Sequence, residues 1–184
     1  KRLYFFLIFF IFFLNNTLAE DKDNIIKNLE NLKTLKFSFL QITNENSDVG
    51  VCFLEFPGKL KCNYKDNKQK ELLVNDKSLY ITQKRYNKTL YYPLSKSPYS
   101  KILNKKELIK IIKKSKIEYL NDQIRLIDNK DNKQEITIFF DKNDLILKGW
   151  KIEDHFKNKI TFLIDIISIN ENISPDKFKK PTLN

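Results

Sequence analysis

The 184 residues carry 34 Lys and Arg against 23 Asp and Glu, a formal charge of +11, with three Gly, two Cys and a single His. One His excludes a multi-histidine metal site, and three scattered glycines exclude a phosphate-cradling loop. A chain of this length suits one domain, and its lysines are spread over nearly every segment, which reads as a solvated surface and argues against nucleic acid as a partner.

Residues 1–19, KRLYFFLIFFIFFLNNTLA, combine a basic start, an apolar run from Leu3 to Leu14, and a polar exit where Thr17 and Ala19 suit cleavage before Glu20. The run is too short to cross a bilayer as a lasting helix, so a cleaved secretory signal peptide is expected. The mature domain, 20–184, would keep 32 basic and 23 acidic residues, a charge of +9, and fold in an oxidising compartment.

The mature chain opens with a helix. Asp21 or Asp23 can cap it, and Ile25, Ile26, Leu29 and Leu32 form its apolar stripe. Phe37 to Thr43 reads as a strand and Asn44 to Asp48 as a polar loop. Gly50 to Tyr64 then forms a hairpin turning at Pro57-Gly58, with Leu60, Cys62 and Tyr64 on one face and Cys52, Leu54 and Phe56 lining up before the turn. Phe53 breaks the alternation. Same-face cysteines allow two registers. Glu55 opposite Lys59 sets Cys52 directly across from Cys62, within bridging range; Phe56 opposite Leu60 makes them diagonal, where a bridge would be strained. A Cys52–Cys62 disulfide is expected on the first.

Further strands follow at Glu71–Val74, Leu79–Lys84 and Thr89–Tyr92, with turns at 75–77 and 86–88. Ser97 can cap a short helix from Pro98 to Leu103. Lys105 to Lys114 continues as an amphipathic helix with Leu108, Ile111 and Ile112 on one side. It reads as a lid or packing helix with solvated lysines, or alternatively as a membrane-surface site. Strands return at Lys116–Leu120, Gln123–Ile127, Glu135–Phe140, Leu145–Glu153 and Lys159–Ile169, before a helical turn at Pro175–Phe178. Such a series suggests a large curved sheet or incomplete barrel plugged by helices. His155 falls in a polar turn and reads as a surface histidine. Tyr80, Tyr91, Tyr92, Tyr99, Trp150 and the phenylalanines exceed what strand alternation needs, which fits either a hydrophobic ligand cavity or an aromatic core.

An ordered series of fragments resembles the LolA family of periplasmic lipoprotein carriers. It comprises Phe39-x-Gln41, Gly50, Phe56-Pro57-Gly58-Lys59-Leu60 with Tyr64, Leu73-Val74-Asn75-Asp76 with Leu79-Tyr80, and Tyr92-Pro93-Leu94 with Pro98 and Ile102-Leu103. Leu147-x-x-Trp150-x-Ile152-x-Asp154, Thr161, Asn170, Ile173, Phe178 and Pro181 complete it. The resemblance implies a mainly β (α+β) fold, an incomplete, open antiparallel β-barrel of about ten to eleven strands with a helical lid. It implies a carrier rather than an enzyme, without cofactor or metal. Its partners would be triacylated lipoproteins, an inner-membrane lipoprotein-releasing transporter and an outer-membrane acceptor, and the carrier a periplasmic monomer. Phe39, Leu54, Phe56, Leu60, Tyr64, Leu79, Ile81 and Trp150 are the implied lining of an acyl-chain cavity, with Ile102 and Leu103 on the lid. The family usually places an arginine, facing the lid, where this chain has Phe56. Phenylalanine cannot hydrogen-bond lid carbonyls, which implies a looser empty lid and tighter retention of cargo here, and with them the need for a strong acceptor or a different polar latch.

Overall fold

The computed structural model describes residues 20–97, 99–128, 135–153 and 158–181. Pro98, His155 and the expected signal segment lie outside the described residues.

Alternating side chains and short polar turns produce eleven strands: β1 Thr34–Thr43, β2 Asn46–Glu55, β3 Lys59–Tyr64, β4 Lys70–Asn75, β5 Ser78–Gln83, β6 Lys88–Pro93, β7 Lys116–Leu120, β8 Gln123–Asp128, β9 Ile136–Asp141, β10 Leu147–Glu153 and β11 Lys159–Ile169. They form one antiparallel sheet in the order β6-β5-β4-β3-β2-β1-β11-β10-β9-β8-β7. Each neighbour is the next strand in sequence except β1 against β11, where the first and last strands meet. The sheet is open, with β6 and β7 as its edges. Asn44, Asp76, Asn87 and Asn121 turn the chain at φ between 46° and 57°, the left-handed region that Asn and Asp tolerate better than other side chains.

Two expectations are corrected. Residues 46–48 belong to β2, because Asn46 pairs with Thr43 and Asp48 with Gln41. Backbone pairing requires no apolar side chain, so the polar run misled. Asp21 and Asp23 lie inside the first helix, α1, which covers 20–31, and do not precede it as caps.

Helices α2 (Tyr99–Leu103) and α3 (Lys105–Lys114) sit between β6 and β7 in the chain. The Asn104 side chain accepts the Glu107 N–H at 3.2 Å and starts α3; Ser97 Oγ accepts the Tyr99 N–H at 3.2 Å. Ile25, Ile26 and Leu29 of α1, Ile102 and Leu103 of α2, and Leu108, Ile111 and Ile112 of α3 join strand side chains in one continuous core. The sheet's other face carries a smaller cluster of Leu73, Tyr80 and Phe178 with Phe53 and Ile173 packed on it. Phe53 thus breaks the alternation because the C-terminal turn Pro175–Phe178 covers that face too.

Candidate functional site

In the hairpin, Glu55 pairs with Lys59 in register and as an ion pair at 2.7 Å. Cys52 is therefore opposite Cys62, and the two are joined by a disulfide. Both are buried beneath the helices. The Phe56–Pro57 peptide bond is cis, and Gly58 completes the turn at φ 75°.

An aromatic stack crosses the covered face of the sheet. Trp150 lies parallel to Phe162 at 4.7 Å between ring centroids, Phe162 stacks on Phe39 at 4.7 Å, and Tyr64 meets Phe39 edge-on at 4.9 Å. Offset and edge-to-face rings contribute beyond their buried area. Two glycines make room for the stack. A Cβ at Gly50 would meet Asn63 O at 2.1 Å and the Phe39 ring at 2.7 Å; one at Gly149, whose φ is 144°, would meet Phe162 O at 2.0 Å.

At one end of the stack, the Tyr64 hydroxyl donates to Gln41 Oε1 at 2.7 Å. Tyr99 of α2 packs in the same core as Tyr64. Burial pushes the Tyr99 phenol up to about 12, partly opposed by its interaction with the Tyr64 hydroxyl. Burial, followed by the fields of Tyr99 and Asp48, raises Tyr64 as well. Both phenols stay neutral at physiological pH and act only as hydrogen-bonding groups.

Phe39, Leu54, Leu60, Tyr64, Leu79 and Trp150 are buried, while Phe56 and Ile81 are partly buried; all eight belong to the one core beneath the helices. Ile102 and Leu103 press on that core from α2. Helix side chains fill the interior.

Open space lies at the rim. A cleft of about 930 Å³ separates the β2–β3 turn and the end of β6 from the α2–α3 junction, with Phe56, Tyr91, Leu94 and Leu103 among its apolar walls. A second cleft, about 370 Å³, lies between α1 and the β9–β10 turn and is lined by Leu29, Leu32, Leu145 and Ile166.

Lys105 links the walls of the two clefts. Its Nζ donates to Leu32 O at 2.6 Å and Glu30 O at 3.1 Å, at the C-terminal end of α1, and lies 5.1 Å from the centroid of the Phe56 ring. A cation suits this place because the last carbonyls of a helix are unpaired and carry its negative dipole end. Burial lowers the Lys105 pKa from the ordinary lysine value; Glu30 opposes that shift and Lys33 adds to it.

The sequence matches the family described as outer membrane lipoprotein carrier protein LolA over residues 30–181. The chain belongs to the LolA family. This is a family of carriers rather than enzymes. No curated protein matches the sequence. Among solved structures, an uncharacterized conserved protein from Thermus thermophilus is similar in fold, with a TM-score of 0.55 at 9% identity over 90% of this chain and 94% of that one. LprF from Mycobacterium bovis gives 0.49 at 12% identity over 89% and 97%. A LolA superfamily protein from Nitrosomonas europaea gives 0.41 at 7% identity over 86% and 97%.

Two residues of this candidate site escaped the sequence reading. Phe162 is the middle ring of the stack; its alternation with Ile164 marks it as inward-facing, but nothing local places it beside Phe39. Lys105 looked like one more solvated lysine. Its role depends on carbonyls more than seventy residues away.

Proposed function

We propose that this LolA-family protein is a periplasmic chaperone. It takes triacylated lipoproteins released from the inner membrane, shields their acyl chains beneath the helical lid, and passes them to an outer-membrane acceptor. The observation that carries the reading is the continuous apolar interior of a LolA-family chain, roofed by helices and flanked by clefts at its rim. Each methylene removed from water contributes about 0.8 kcal/mol, so acyl chains need a protein cover to cross an aqueous space. In this reading Phe39, Leu54, Leu60, Tyr64, Leu79, Ile81 and Trp150 are the surface that acyl chains take over when the lid lifts. Phe56 and Leu103 stand at the entrance, and Lys105 replaces the family's arginine as the polar latch. Residues 1–19 serve as the signal peptide and 20–184 as the carrier domain. Transfer needs no hydrolysis by the carrier, only an acceptor that binds the cargo more tightly.

The test is release of radiolabelled lipoprotein from inner-membrane vesicles carrying the releasing transporter. The purified protein should solubilise mature triacylated lipoprotein and leave the non-acylated precursor unbound. Failure to take the acylated form while folded refutes transport. Equal binding of the precursor refutes acyl shielding. Recovery of free lipid alone from periplasmic preparations would favour a carrier of small lipids instead.

A further inference from the structure

We infer that the Trp150 indole N–H is a hydrogen-bond donor for the carbonyl of an ester- or amide-linked acyl chain, so that the linkage as well as the apolar chain is recognised. The inference rests on the carrier reading above and names the ligand chemistry of that interior.

Trp150 is 4% exposed, and its Nε1 has no acceptor among the described residues. Other polar groups of the same interior are satisfied: Tyr64 donates to Gln41, and Ser115 Oγ donates to Ile111 O at 2.8 Å. A buried donor without a partner costs about 1–3 kcal/mol, and folded proteins pair nearly all such groups. The neighbouring rings do not satisfy it. Trp150 and Phe162 are within 7° of parallel, so an N–H in the indole plane runs along the Phe162 face and does not point into it. Trp150 lines neither rim cleft.

The missing acceptor therefore has to come into the apolar interior with something that displaces helix side chains. An alkyl chain brings none. An acyl chain brings a carbonyl joined directly to its apolar part, and Trp150 lies in the aromatic stack with Phe162 and Phe39, against which such a chain can pack. In the closed protein the unpaired N–H is a standing cost. Cargo carrying a carbonyl relieves it, and cargo without one does not.

Binding is compared for two glycerol lipids with identical chains, one a diacyl ester and the other a dialkyl ether. Because Trp150 is the single tryptophan, its indole N–H gives one resolved signal in a nitrogen–proton correlation spectrum. The ester should bind about 5- to 10-fold more tightly, as one added hydrogen bond requires. It should move the indole signal downfield, which the ether should not do. Trp150→Phe keeps an aromatic ring against Phe162 and should bring the two affinities together at the ether's value. Equal wild-type affinities, or an ester preference that survives in Trp150→Phe, overturn the inference while leaving the carrier reading intact. Should the variant not fold, an indole signal that bound ester leaves in place overturns it in the wild-type protein. Binding of neither lipid overturns this inference, and the carrier reading falls with it only if the folded protein also fails to take mature lipoprotein.

Discussion

Lys105→Met removes the charge that joins α3 to the end of α1 and keeps most of the apolar stem over Phe56. Two hydrogen bonds from an ammonium group to carbonyls have a nominal value of about 1.5–3 kcal/mol each. Three features reduce it. The lysine is only partly buried, so water competes; burial already lowers its pKa; and the freed carbonyls at the helix end can be hydrated when the lid lifts. A net of about 1–2 kcal/mol remains, equivalent to a shift of about 5- to 30-fold in the lid's opening equilibrium. If cargo binds only the open form, its apparent affinity rises by the same factor, and its release to the acceptor slows in proportion. Amide hydrogen exchange across 99–114 and fluorescence of a hydrophobic probe report the opening. Adding Phe56→Arg to Lys105→Met returns a cation to the same corner and should restore slower exchange and faster cargo release. Changes below 2-fold in both exchange and probe binding for folded Lys105→Met would show that this contact does not govern the lid.

Gly50→Ala should destabilise the protein by about 1–3 kcal/mol in urea unfolding, because the new methyl group must displace the Asn63 carbonyl or the Phe39 ring. Disulfide reduction should cost about 2–3 kcal/mol in the chain-entropy account of a short loop, read as a lower unfolding midpoint, while non-reducing alkylation of the native protein labels neither Cys52 nor Cys62. Burial works against the Glu71 carboxylate, but hydrogen bonds and charges from Lys61 and Lys84 outweigh it and hold the pKa below the ordinary glutamate value. That contribution to stability is present above the unfolded pKa and lost as pH falls through the lower folded pKa. Glu71→Gln should therefore lose stability at pH 7 and converge with wild type only as pH falls through the lowered folded pKa of Glu71, in pH-dependent melting.

Local periodicity determined the strands, the amphipathic α3, the turn residues and the fact that both cysteines share a face with Leu54 and Leu60. Each depends on side chains two to four positions apart, a distance the chain itself enforces. The Cys52–Cys62 pairing was legible as one of two registers, and the Glu55–Lys59 register seen here decides it. Core residues such as Phe39, Tyr64 and Trp150 were legible as inward-facing or aromatic, but their order in a single stack was not. That order depends on β11 pairing with β1, which sets Phe162 beside Gln41 and next to the Phe39 ring across more than a hundred residues. The same holds for Lys105 at the end of α1 and for the unpaired N–H of Trp150. Hydrophobic alternation is blind to which strand lies alongside, and a charge or donor acquires its role only from groups that distant chain segments bring within about 3 Å.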